Sequence, residues 1–136
     1  MNWKAFLVAT LAAGVVCNAL DAVVQGGWFT ANYYSKLPQL FKQNGDISMY
    51  VLGDFIAVAM LAWFYHVVRG SFGTGLMNGL RYGVYTGLLI AFPMYIFLHL
   101  MLVAWPYALS WAMTIYSIIW TAIAGAVIGL VHEKLG

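Results

Sequence analysis

The sequence predicts an all-α fold, an integral membrane four-helix bundle, with an interfacial amphipathic segment between the first and second helices. Three observations carry that prediction. Hydrophobic residues make up 64% of the 136 residues and charged residues only 7%. A soluble domain averages about 45–50% apolar and about 25% charged, so these few charges could not cover a soluble surface. Four separate apolar stretches each reach the roughly 20 residues that a helix needs to cross a bilayer. Glycine and proline then punctuate the joints between them.

The stretches run over about 5–24, 49–68, 78–103 and 108–131, and together they form one transmembrane domain over residues 1–136. The first has some marks of a secretory signal: Lys4 ahead of the apolar run and small residues around Cys17-Asn18-Ala19. Its apolar run is longer than a signal core, which favours a span. Gly26-Gly27 closes the first stretch, and Gly70, Gly73 and Gly75 close the second. Pro106 closes the third, and Pro93 is placed to kink it. Between the first two spans, Trp28, Phe29, Tyr33, Leu37, Leu40 and Phe41 recur at near-helical spacing, with Ser35, Lys36, Gln39 and Lys42 between them. That pattern reads as an amphipathic segment on the membrane surface, interrupted at Pro38. Trp28 and Tyr33 serve there as aromatic anchors or as a partner-docking surface. Trp105, Tyr107 and Trp111 read as the aromatic belt of the same side.

Four spans put both ends of the chain on one side. Lys4, Arg69, Arg81 and Lys134 then share that side against Lys36 and Lys42 on the other, which predicts cytoplasmic termini in a bacterial inner membrane. Arg69 and Arg81 read as contacts to lipid head groups or to a partner.

Small residues recur every fourth position. Gly75, Gly79, Gly83 and Gly87 mark the third span, and Ser117, Thr121, Gly125 and Gly129 the fourth. Ala5, Ala9, Ala13 and Cys17 mark the first. Residues four apart share a helix face, and small ones let helix backbones approach in lipid. These stripes predict packing within the chain, or a homodimer seam along one of them. All three lie toward the cytoplasmic half, so the bundle is expected to be tight there and wider outside.

The functional candidates are the ionisable residues inside the spans, whose burial is costly. Asp21 with Asn18 one turn before it, Asp54 and His99 all fall at similar depth in the outer half, with Ser110 and Thr114 able to join them. Two carboxylates and an imidazole at one level could hold a cation, relay protons or anchor a polar ligand; equally, they could simply bond neighbouring helices. No metal motif is present, and one cysteine excludes a disulfide within the chain. No cofactor is predicted; His66 and His132, on different helices at one end, are the only pair that could clamp a haem. No phosphate loop or nucleophile elbow occurs. The net charge of +2, without a basic run, gives no sign of nucleic-acid binding.

Two segments carry a resemblance. The opening Met1-Asn2-Trp3-Lys4-Ala5-Phe6-Leu7 with Asp21 downstream, and Gly79-Leu80-Arg81-Tyr82-Gly83-Val84-Tyr85-Thr86-Gly87-Leu88, look like those of a group of small four-helix bacterial inner-membrane proteins of unknown function. The resemblance implies a four-span fold with Asp21 and Arg81 as family-like positions, and it implies no activity. The sequence alone thus favours a non-enzymatic accessory or interaction subunit of a larger membrane complex, in contact with the bilayer and with other subunits or a second copy of itself. The alternative is a homodimeric transporter or ligand-binding protein that uses the acidic and histidine cluster. A membrane enzyme acting on lipid or quinone ranks last.

Overall fold

The computed structural model describes residues 1–136. Four long helices run up and down: α1 (Trp3–Val23), α2 (Ile47–Phe72), α3 (Leu76–Tyr95) and α4 (Tyr107–Leu135), with no strand. All four are long and apolar enough to cross a membrane. Both termini and the 73–75 turn lie at one end, here the terminal end. Residues 33–46 and 102–106 form the opposite, loop end.

Each helix boundary has a local cause. Asn2 caps α1 by accepting a hydrogen bond from the Ala5 amide at 3.1 Å, and its Nδ2 donates to the Leu135 carbonyl at 2.8 Å, which ties the two ends of the chain together. Asp46 caps α2: one carboxylate oxygen accepts from the Ser48 amide at 3.0 Å and from its hydroxyl at 2.6 Å. The reversal from α2 to α3 uses Gly73 and Gly75 at φ 86° and 101°, a region that side chains disfavour. Tyr65 fixes that turn by donating its hydroxyl to the Gly73 carbonyl at 2.6 Å. Pro106 precedes the first turn of α4, where its missing N–H leaves no bond unmade.

The closest helix contact joins α3 to α4. Gly79 and Gly83 press on the backbone of Gly125, Gly129 and Thr121. A methyl added at Gly83 would overlap the Thr121 carbonyl oxygen and come within 2.7 Å of the Ala122 Cα; one at Gly129 would come within 2.7 Å of the Gly79 Cα. The Gly75 amide also donates across the seam to the Gly129 carbonyl at 3.0 Å. Lipid gives apolar side chains no reason to leave it, so the attraction here is dense van der Waals contact between backbones.

α1 lies against α2 and α4. Its stripe of Ala5, Ala9, Ala13 and Cys17 is buried, and from Ala9 onward it joins a core with Val58, Leu61, Ala62 and Tyr65 of α2 and with Ala124 and Ile128 of α4. Between α2 and α3 the spacer is Tyr82. Its hydroxyl donates to the Leu61 carbonyl at 2.6 Å, and its ring meets Tyr65, Phe64 and Phe72 at centroid distances of 5.1, 6.1 and 5.7 Å. The outward faces carry Leu7, Leu11, Val15, Met60, Trp63, Leu89, Ile115 and Ile119, all exposed. An apolar surface of that extent fits acyl chains rather than water, and the chain is a multi-pass membrane protein.

One sequence boundary needs correction. Gly26-Gly27 does not end the first helix. The chain continues through a π-helical turn, Val24–Phe29, and a short helix, Thr30–Asn32, before a 3-10 turn at Tyr34–Lys36. Thr30 closes the wider turn by donating its hydroxyl to the Gln25 carbonyl at 2.7 Å. Neither glycine adopts positive φ. Burial of Phe29 against Leu109 and Tyr116 outweighs the helix-breaking tendency of the pair. Tyr33, Tyr34, Leu37 and Phe41 pack on the same cluster, so the segment between the first two spans folds over the loop end. The third span runs Leu76–Met101, close to the expected 78–103, and is interrupted near Pro93 as expected: α3 ends at Tyr95, and a separate turn forms at Leu98–Met101. Pro93 lacks the N–H that would continue the ladder near that end.

The α3–α4 seam makes a direct prediction. Gly83→Ala should destabilise the bundle by about 1–3 kcal/mol through overpacking. Gly53→Ala, where a methyl meets nothing within 4 Å, should leave stability level or slightly higher. Unfolding titrations in mixed micelles compare the two; equal stabilities would mean that the seam does not hold the fold. The α2 cap responds to acid. The bonds from Ser48 hold the Asp46 carboxyl below its ordinary value of 3.8. A lowered carboxyl stabilises the fold above its unfolded value, and that contribution disappears as pH falls through the lower folded value. Protection of the Ser48–Tyr50 amides, their exchange corrected for the intrinsic pH dependence of the rate, should therefore fall at acid pH in the native chain and already be low at neutral pH in Asp46→Ala.

Candidate functional site

The residues four apart on one face of the first helix are Cys17, Asp21 and Gln25. The turn of α1 that carries Asp21 lies beside both α2 and α4. Asp21 Oδ1 accepts a hydrogen bond from the Tyr116 hydroxyl of α4. Asp54 of α2 stands on its other side, with the two carboxyls in hydrogen-bonding reach of each other. Tyr116 is buried and both aspartates are half-buried, and neither carboxyl forms an ion pair. Two carboxyls this close in a medium of low dielectric are stable together only with a proton or a cation between them.

A cleft of about 200 Å³ opens beside Asp21, lined by Gln25, Tyr95, Tyr116, Ser117, Trp120 and Thr121. It adjoins the last glycine contact of the α3–α4 seam, where Gly87 meets Thr121 and Ile118. The π-helical turn positions Gln25, whose Oε1 accepts from the Tyr34 hydroxyl. Such turns often occur where a helix must re-aim a functional side chain. The Thr121 hydroxyl donates to the Ser117 and Ile118 carbonyls at 3.0 Å, so it is engaged within its own helix. The Nε1 of Trp120 is buried and has no acceptor. On the other side of the Tyr116 ring lies a second groove, of about 240 Å³, lined only by apolar residues: Val24, Trp28, Phe29, Ala112, Ile115, Tyr116 and Ile119. Tyr116 is a wall of both.

Among the sequence candidates, the structure brings Asp21 and Asp54 together. It does not bring His99 into the cleft. That residue sits in the Leu98–Met101 turn with its ring edge-on to Tyr107 at 4.8 Å, and its buried Nδ1 has no partner. Asn18 donates to the Gly14 carbonyl of its own helix at 2.9 Å. Ser110 accepts from the Trp105 indole at 2.9 Å, and Thr114 donates to the Ser110 carbonyl at 2.7 Å, so both serve the helix start. Trp28 is half-exposed at the apolar groove, and Tyr33 packs over the loop end.

At the terminal end, Arg69 is part-buried in the last turn of α2 and Arg81 is exposed on α3. His132 is buried, with Nδ1 2.9 Å from the Ile128 carbonyl and its ring edge-on to Tyr65 at 5.2 Å. His66 lies near the amino terminus, Arg69 and His132, and its Nδ1 is buried without a partner. Gly75, Gly79, Gly83, Gly87, Gly125 and Gly129 all lie in the α3–α4 seam. No three His, Cys, Asp or Glu side chains converge as a metal site would require.

The sequence reading missed Tyr116, Gln25 and Tyr95. Gln25 was legible, since it stands one turn beyond Asp21 on the same face. Tyr116 and Tyr95 are two aromatics among many, and nothing local in the sequence singles them out. Comparison with protein-family models, curated proteins and solved structures gives no match for this chain.

Tyr116→Phe removes the one hydroxyl that the carboxyl pair receives from α4. A hydrogen bond to a charged partner contributes about 1.5–3 kcal/mol. The variant should lose stability in that range in detergent unfolding, and an unchanged midpoint would place the Asp21–Tyr116 contact outside the folded state's energetics.

Proposed function

We propose that this chain is a small, non-enzymatic membrane protein that binds a cation, or a ligand bearing a hydrogen-bond donor, at Asp21. The observation that carries the reading is the cleft beside a carboxyl pair without a counter-charge. Asp21 is the one ionisable acid in the cleft's lining, beside the Gln25 amide, the Tyr95, Tyr116 and Ser117 hydroxyls and the Trp120 indole. A second copy of the chain would complete any pathway across the membrane, since one copy offers a single cleft at one depth. In this reading the chain sits in a bacterial inner membrane with both termini cytoplasmic, Arg69 and Arg81 at the head groups, and His66 and His132 without a cofactor. Kinship with the small four-helix bacterial proteins, on Asp21 and the Gly79–Leu88 segment, belongs to the same proposal.

The test uses purified protein in nanodiscs with ethylammonium, sodium and potassium as probes. A ligand that binds only the folded chain stabilises it by mass action, about 2.7 kcal/mol at a hundred times its dissociation constant. At least one probe should raise the midpoint of unfolding, and Asp21→Asn and Asp54→Asn should each cancel the rise. A probe effect that survives both substitutions, or no effect from any probe, would remove the reading.

The second reading is an accessory subunit of a larger membrane complex. It is favoured by the exposed aromatics of the loop end, Trp28, Tyr50, Tyr107 and Trp111, which would suit a partner's surface. The glycine stripes lend it less support, because they are occupied within the chain. Stoichiometric recovery of another membrane protein from mildly solubilised native membranes would favour this second reading; recovery of the chain alone or as a homodimer would count against it.

A further inference from the structure

Charge is divided unequally between the two ends of the bundle. Three of the four acidic residues, Asp21, Asp46 and Asp54, stand toward the loop end, and four of the six lysines and arginines, Lys4, Arg69, Arg81 and Lys134, toward the terminal end. The remaining acid, Glu133, stands against the Gly75 turn and pairs with none of them. Arg69 differs from the other cations of that end. It is part-buried, whereas Lys4, Arg81 and Lys134 are exposed. Its guanidinium still reaches the surface, and it donates to no acceptor. Complementing the negative end of the α2 dipole uses its charge but none of its N–H donors.

His66, three residues earlier, shares that side of α2. Its Nδ1 is enclosed, while its Nε2 is at the surface and equally without a partner. α1 begins beside His66, so the positive end of that helix dipole adds to the same spot. His132 of α4 lies behind, 2% exposed, with its Nδ1 engaged by the Ile128 carbonyl. Access is open: a methyl added at Gly70, one turn beyond His66, would meet nothing within 4 Å. Trp63, one turn deeper, and Val67 are exposed where acyl chains lie.

We propose that Arg69 and His66 hold one phosphate group, that of an anionic phospholipid, in the groove between the start of α1 and the end of α2. The planar guanidinium matches two phosphate oxygens at once, and the His66 Nε2–H adds a further bond. The negative charge of the phosphate diester offsets a cation that no carboxylate of the chain reaches. Trp63 and Val67 select the source: the chains of a lipid lie along them, while a free phosphate ion gains nothing from them. The inference rests on the placing of Arg69 at the head groups and owes nothing to the carboxyl pair.

The test is native mass spectrometry of the purified chain in detergent. Dioleoylphosphatidylglycerol is the probe, dioleoylphosphatidylcholine the control whose phosphate carries its own counter-charge, and inorganic phosphate the competitor. The wild-type chain should retain one phosphatidylglycerol about fivefold more tightly than phosphatidylcholine. Arg69→Gln should bring the two lipids near parity, and His66→Phe should weaken phosphatidylglycerol retention about threefold. Arg81→Gln removes the same charge from the same end and should change nothing. Arg69→Lys keeps the charge at the end of α2 but loses the planar fork, and should weaken retention about threefold. Millimolar inorganic phosphate should not displace the lipid.

Equal losses from Arg69→Gln and Arg81→Gln would overturn the site and leave only general head-group attraction at this end. No preference for phosphatidylglycerol in the wild type would remove the placing of Arg69 at the head groups as well. Displacement by inorganic phosphate, with the same dependence on Arg69, would make the occupant a free ion and overturn the choice of a lipid. Should Arg69→Gln fail to fold, Arg69→Lys and His66→Phe carry the comparison with Arg81→Gln, and unchanged retention in both would overturn the inference.

Discussion

The bundle depends on the absence of side chains between α3 and α4. In water, helices gather because their apolar faces leave the solvent, but in a bilayer that force is missing. What remains is contact, and its density grows as backbones approach. Gly79 and Gly83 against Gly125 and Gly129 bring two helices to backbone contact and let the Gly75 amide bond across to the Gly129 carbonyl. The Asn2 link to Leu135 brings the start of α1 to the end of α4. The remaining helices attach through larger side chains, and Tyr82 alone spans much of the gap between α2 and α3.

Tight packing at one end has a consequence at the other. The glycine contacts stop at Gly87, which meets Ile118 and Thr121, and the cleft that Tyr95, Tyr116 and Trp120 help to line opens there. The acidic residues sit at the depth where this happens. Asp21 and Asp54 are two of only four acidic residues in the chain, and burying them close together requires a compensating partner. Tyr116 supplies one hydrogen bond. A proton or a bound cation is the remaining means of neutralising the pair.

The rest of the charge is arranged differently. Lys4, Arg69, Arg81 and Lys134 lie toward the terminal end, where long side chains can reach head groups while their stems stay in the apolar layer. Glu133 stands near the Gly75 turn at the start of α3, on the side where a carboxylate is favoured by the exposed amides of a helix start. These groups mark where the bundle meets its surroundings. The carboxyl pair is the exception to that arrangement, which is why it attracts a functional reading.

How much of this was legible follows from the range of each interaction. Composition and run length determined four apolar helices, because crossing a bilayer is a constraint on every residue of a span. Four-residue spacing determined which faces carry small residues, since a helix repeats its faces at that interval. The sequence also showed Asp21 and Asp54 as misplaced charges at similar depth. Tertiary structure alone decided that the third and fourth stripes meet each other, that His99 stays apart with Tyr107, and that Tyr116 stands between cleft and groove. It also decided that the first helix runs through Gly26-Gly27: those glycines permit either a break or a helix, and the burial of Phe29 against Leu109 and Tyr116, residues far along the chain, selects the helix. Local signals state what each segment can do. Which of those options is realised depends on partners that adjoin only after folding.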